Sequence, residues 1–209
     1  MRNRHFSPLD LAISLSCAML LSLTAGLVGS AGAHEILPGV TGFPSLVLHP
    51  FVAVETALVL LGFAIVVGAA GLRPPLGWGI VMLAAGAVAG VLLQTAALVV
   101  PGLWRLPLVL ALCLGAVAAT GLAASGWCLA AMSLLVSTAI GVAVPPERPG
   151  LAGRAEAAAA VIAAILATVL VVSLPRFALS RFRAVRLAGR VGGAWIMAIA
   201  LLGLAVLFR

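Results

Sequence analysis

Long apolar stretches alternate along this chain with short segments that hold its prolines and arginines. The first stretch, Leu9 to Val28, follows Arg2 and Arg4 and runs toward Ala31-Gly32-Ala33. A charged region, an apolar core and an A-x-A site in that order predict a signal peptide over residues 1–33, cleaved after Ala33. An uncleaved signal-anchor helix is the alternative, and both place His34 on the outer side. Six further stretches are long enough to predict membrane spans: Val47–Ala70, Leu76–Val100, Leu106–Ala124, Trp127–Val144, Ala157–Leu174 and Val191–Phe208. Pro44, Pro50, Pro74, Pro75, Pro101, Pro107, Pro145, Pro146, Pro149 and Pro175 lie at or near the ends of these spans. A proline there interrupts no central helix hydrogen bond. The expected fold is an all-α membrane protein. It is a six-transmembrane-helix bundle over residues 34–209, preceded by a signal peptide or signal-anchor helix.

Composition supports a membrane protein. The chain of 209 residues is 64% hydrophobic and only 8% charged, more apolar side chain than a soluble domain of this size can hide. A net charge of +7 and a pI near 11.5 would suggest nucleic acid in a soluble protein. Here the arginines fall in short loops, where they orient spans. The expected partner is therefore the lipid bilayer, with a homo-oligomer or membrane-protein partner possible and no nucleic acid.

The densest basic segment, residues 175–190, holds Arg176, Arg181, Arg183, Arg186 and Arg190. The positive-inside rule makes it cytoplasmic. Arg73 is then inside, Arg105, Arg148, Arg154 and Arg209 are outside, and so are the mature N- and C-termini. The implied location is a bacterial inner membrane. The same Arg/Phe/Leu mixture also suits a short amphipathic helix on an anionic leaflet. Gly86 and Gly90, and Gly189 and Gly193, form GxxxG pairs that allow close helix approach. Cys113 and Cys128 read as buried apolar fillers rather than as a disulfide.

Few polar residues lie inside the apolar stretches. Glu55 falls about two turns into the first mature span, where a carboxylate is expensive unless paired, protonated or wetted. His49 precedes Pro50 at the start of that span, and Thr56, seven residues on, shares its helix face. His34, if it becomes the N-terminus, offers an amine and an imidazole nitrogen. With His49 it could hold copper or nickel, and Glu35 is a further ligand or a solvated charge. Gln94, Thr95, Ser133, Ser137 and Thr138 are expected to hydrogen-bond between helices. Glu147 and Glu156 are expected to pair with nearby Arg148 and Arg154. No catalytic constellation and no haem-ligating histidine pair is visible, so neither an enzyme nor a haem protein is expected.

The chain resembles the HupE/UreJ family of small membrane proteins. The resemblance is carried by the leader ending Ala-Gly-Ala-His, by Leu48-His49-Pro50 opening the first mature span with Glu55 five positions after the proline, and by Arg190-Val-Gly-Gly-Ala-Trp195 at the start of the last. Layout and length agree over nearly the whole chain. The family pattern is His-Pro, four residues, then Asp-His. His49 matches its first histidine, Glu55 stands at its aspartate and Thr56 at its second histidine. The resemblance implies handling or transport of a transition-metal cation, nickel or cobalt, with copper a further candidate. The implied ligands are His49 and Glu55, with His34 and Glu35 as outer capture groups. The competing expectation is a non-transporting assembly factor or small subunit of a membrane complex.

Overall fold

The computed structural model describes residues 40–70, 76–97, 105–122 and 124–207, with the backbone alone at 76–77 and 95–97. The leader, His34 and Glu35 lie outside the described residues.

The described residues form seven helices: α1 Phe43–Val52, α2 Val54–Ala70, α3 Leu76–Ala97, α4 Leu106–Thr120, α5 Gly126–Ala143, α6 Gly150–Ala178 and α7 Arg183–Leu207. Their ends follow local chemistry. Proline opens α1 and α4, where its missing N–H has no helical partner to lose. The Ser125 hydroxyl caps α5 by accepting the Cys128 N–H at 3.2 Å. Gly121, at φ 72°, ends α4 in the left-handed conformation.

The expected six membrane spans are not what the structure holds. Among the described residues, three helices are long and apolar enough to cross a bilayer: α5, α6 and α7. A fourth is reached only if α1 and α2 count as one broken span, and these two are bent by 86° at Ala53. The described side chains of α3, Trp78–Gln94, and helix α4, Leu106–Thr120, form shorter apolar stretches. At the helical rise α4 reaches about 22 Å, against roughly 30 Å of hydrocarbon. In α4 the cause is Gly121, which stops the helix before the expected end at Ala124. The first expected span fails at Ala53, where the backbone turns extended three residues after Pro50. Helices α6 and α7 instead run past their expected limits. Pro175 lies inside α6, and α7 starts at Arg183, so the basic segment is mostly helix around a turn at 179–182.

Helix α2 is the centre of the bundle and packs on α1, α4, α5, α6 and α7. It is apolar all round because it is covered all round, with Leu58, Val59, Leu60, Phe63, Ala64 and Val66 all buried. Two close pairs flank it. Helices α3 and α5 run parallel, with Trp78 and Trp127 rings 6.3 Å apart at their N-terminal ends. Gly86 and Gly90 meet the α5 backbone at Leu134 and Thr138. Helices α4 and α7 run antiparallel, with Gly193 against Ala118 and Gly203 against Leu108. Both glycine pairs therefore lie in the interior, as the GxxxG spacing predicts for Gly86 and Gly90. In the second pair Gly193 meets a helix backbone, while Gly189 makes room for the Arg176 side chain.

The outside of the bundle is apolar. Of the most apolar stretch of α7 only 17% is buried, and Trp195, Leu202 and Val206 stand exposed on it. A water-facing monomer rarely presents so much apolar surface. Cys113 and Cys128 are unpaired, as expected, but exposed rather than buried. They occupy the outer faces of α4 and α5.

The two ends of the bundle differ in charge. Glu147 accepts the Gly42 N–H at 2.9 Å, and Arg148 pairs with Glu156 at 3.8 Å, at the end that holds α1. Arg176, Arg181, Arg183, Arg186 and Arg190 gather where α6 ends and α7 begins. Arg190 Nε donates to the Ala119 carbonyl at 3.0 Å, binding the C-terminal end of α4 to this basic end.

Candidate metal centre

The break between α1 and α2 builds the site. Ala53 is extended at φ −77°, ψ 120°, so its N–H still reaches the His49 carbonyl but the Pro50 carbonyl loses its helical donor. Thr56 replaces it. Its hydroxyl donates to the Pro50 carbonyl at 2.7 Å and is also within 3.0 Å of the Ala53 carbonyl. Thr56 is fully buried. The expectation that His49 and Thr56 share a face assumes a continuous helix, and the bend removes it.

His49 is half-buried beside the backbone carbonyl of Ala143, at the C-terminal end of α5. Glu55 is half-buried in the first turn of α2, close enough for its charge to act on His49. It is thus at a helix start rather than two turns inside a span. The positive end of the α2 dipole favours its carboxylate there. The negative end of α5, facing His49, favours a cation. His49 and Glu55 thus stand on opposite sides of the helix break, His49 by the negative end of α5 and Glu55 at the positive end of α2.

His49 and Glu55 are the two sequence candidates that the described residues bring together. Among the described residues no three His, Cys, Asp or Glu side chains converge on a common point. Of the hydroxyls expected to bond between helices, the Thr95 side chain lies outside the described residues, and Ser133, Ser137 and Thr138 bond within their own helix. Ser133 donates to Leu129 at 2.8 Å, Ser137 to Ser133 at 2.7 Å and Thr138 to Leu134 at 2.8 Å, all within α5. The interhelical bond is made instead by Ser173, which donates to the Ala64 carbonyl of α2 at 2.7 Å. Its sequence signal was a lone hydroxyl in the apolar run Val171-Val172-Ser173-Leu174. The expected acid–arginine pairing is met by Arg148 and Glu156, while Glu147 serves the Gly42 backbone. A cleft of about 70 Å³ lies elsewhere, between α2 and the C-terminal part of α6.

The fold defines a class: an all-helical bundle with several apolar helices, consistent with a multi-pass membrane protein. Compared with protein-family models, curated proteins and solved structures, the chain has no significant match.

Proposed function

We propose that this protein handles a transition-metal cation at the α1–α2 break, with His49 and Glu55 as first-contact ligands. The observation that carries the proposal is the break itself. It sets His49 beside the C-terminal end of α5 and puts Glu55, at the start of α2, close enough for its charge to act on His49. Broken helices serve ion sites in membrane proteins because their free backbone groups and dipole ends supply charge without side chains. One nitrogen and one carboxylate suit a borderline divalent ion such as nickel or cobalt, and also copper. His34 and Glu35 would complete the ligand set from the preceding segment. Thr56 would not ligate, because its hydroxyl is engaged by Pro50. The resemblance to HupE/UreJ proteins at Leu48-His49-Pro50 and Glu55 supports the same reading. In this proposal the protein resides in a bacterial inner membrane, with the basic turn on the cytoplasmic side and the metal centre on the outer side.

The test is metal content of the purified full chain by mass spectrometry, beside His49→Ala and Glu55→Gln. Stoichiometric nickel, cobalt or copper in the wild type, lost in both variants, is the expected result. A folded wild-type protein that binds none of them refutes the proposal.

A second reading is a non-transporting assembly factor or small membrane-complex subunit. It is favoured by the hydroxyls of Ser133, Ser137 and Thr138, which are occupied within α5 rather than turned toward a path. Stable co-purification of one membrane partner with a metal-free chain would select it.

A further inference from the structure

The end of the bundle opposite His49 has an arginine built into its packing. Arg176 sits near the C-terminal end of α6, and its stem crosses Gly68 of α2. A Cβ added at Gly68 would lie 2.8 Å from Arg176 Cδ. The guanidinium rests against Gly189 of α7, in the space a side chain there would fill. Glycines on two other helices thus make room for one half-buried cation. Among the described residues the guanidinium has no hydrogen-bond or ion-pair partner. A cation held at a membrane boundary without a counter-charge is costly.

Beside it runs the cleft of about 70 Å³, walled by Val67, Val169, Leu170, Leu174 and Phe177. Leu170, Leu174 and Phe177 are each about half exposed, so the cleft opens to the outside of the bundle. The Ser173 hydroxyl on its wall is committed to Ala64, which leaves an apolar trough. Arg181, Arg183, Arg186 and Arg190 follow in the turn after α6 and the first turns of α7, at the same end of the bundle. The described carboxylates, Glu55, Glu147 and Glu156, belong to the opposite end. Because α6 and α7 both have the length and apolarity of spans, the turn between them marks a membrane boundary.

We propose that this is a binding site for an anionic phospholipid, with its phosphate on Arg176 and an acyl chain in the cleft between α2 and α6. Charge complementarity selects the headgroup, since five arginines at this end meet no described carboxylate. A guanidinium binds phosphate oxygens through paired N–H donors. The adjoining trough selects a lipid over a free anion, because inorganic phosphate would leave the apolar walls uncovered. The site lies at the far end from the metal centre and does not depend on it.

The test is native mass spectrometry of the full chain in detergent, comparing phosphatidylglycerol with phosphatidylcholine of the same acyl chains. The wild type is expected to hold phosphatidylglycerol roughly tenfold more tightly, the size of one charge-assisted hydrogen-bond pair. Arg176→Gln should remove that preference. Leu170→Trp, which fills the cleft from an exposed position, should weaken both lipids. Millimolar inorganic phosphate should not displace the lipid. Equal retention of both lipids by the wild type would overturn the proposal. So would an Arg176→Gln protein that keeps the preference, or full displacement by phosphate, which would assign a free-anion site. If Arg176→Gln fails to fold, the wild-type comparison and Leu170→Trp decide alone.

Discussion

The Thr56 hydroxyl donates to the Pro50 carbonyl at 2.7 Å, across a break at which the chain turns through 86°. This bond ties the first turn of α2 to the last turn of α1 and so sets His49 relative to Glu55. Thr56→Val keeps the shape and removes the donor, leaving the Pro50 carbonyl short of a partner, while the Ala53 carbonyl keeps the Ala57 N–H at 3.0 Å. The expected loss is about 1 kcal/mol of stability in detergent unfolding. Thr56→Ser should recover most of it. A Thr56→Val protein as stable as the wild type would mean that the bend is held by packing alone.

The α3–α5 contact depends on glycine at particular positions. A Cβ at Gly86 would run into the Leu134 carbonyl and the Ser137 hydroxyl, whereas one at Gly79 would find only Ser133 Oγ at 3.9 Å. Gly86→Ala is therefore expected to destabilise by about 1–3 kcal/mol through overpacking. Gly79→Ala should be neutral, or stabilising by up to about 1 kcal/mol from helix propensity. Thermal melts of the two purified variants, side by side, check the contrast. The reverse order would contradict the packing described.

Two buried serines on different helices should behave differently. Ser173 bonds to Ala64 on another helix, while Ser137 bonds to Ser133 one turn back on its own. Ser173→Ala is expected to cost about 0.6–1 kcal/mol, the range for interhelical bonds in membrane proteins. Ser137→Ala should stay within about 0.5 kcal/mol of the wild type, because the Ser133 carbonyl still has its backbone donor. Equal losses in both would show that the interhelical bond carries no special weight.

The proposed orientation can be read from one exposed position. Ser180 lies in the turn between α6 and α7. In a chain whose cysteines are replaced by serine, Ser180→Cys should react with an impermeant maleimide only when the cytoplasmic face is accessible. Replacing Arg181, Arg183 and Arg186 with glutamine should then produce a fraction labelled from the outside. Outer-face labelling of the variant that keeps its arginines would reverse the orientation.

Part of the candidate site was legible in the sequence. His49 and Glu55 stood out because ionisable groups are rare in apolar stretches, and in the fold Glu55 lies close enough for its charge to act on His49. Their arrangement was not legible, because Pro50 read as the start of a helix when it lies inside one that breaks at Ala53. Thr56 read as a candidate on the His49 face, yet its donor is taken by a carbonyl six residues back. Arg176 read as one of five orienting charges. Nothing local marks that Gly68 and Gly189, 108 and 13 residues away, leave space for it.

By itself the sequence determined that the chain is helical and apolar, and that its densest arginine cluster is confined to one short segment. Those properties follow from composition and from the order of residues within a single helix. It also marked the glycine pairs that allow helices to approach closely. Only the tertiary structure decided how many helices could cross a bilayer, which side chains are buried and which polar groups meet. Length is cut by a left-handed glycine and a broken turn, and burial depends on the neighbour's register. Helix α2 is apolar on every side and wrapped by five helices, whereas α7 carries Arg183, Arg186 and Arg190 in its first turns and leaves most of its apolar stretch facing outward. Which neighbours cover an apolar stretch is settled only in the assembled bundle, because burial is a relation between surfaces.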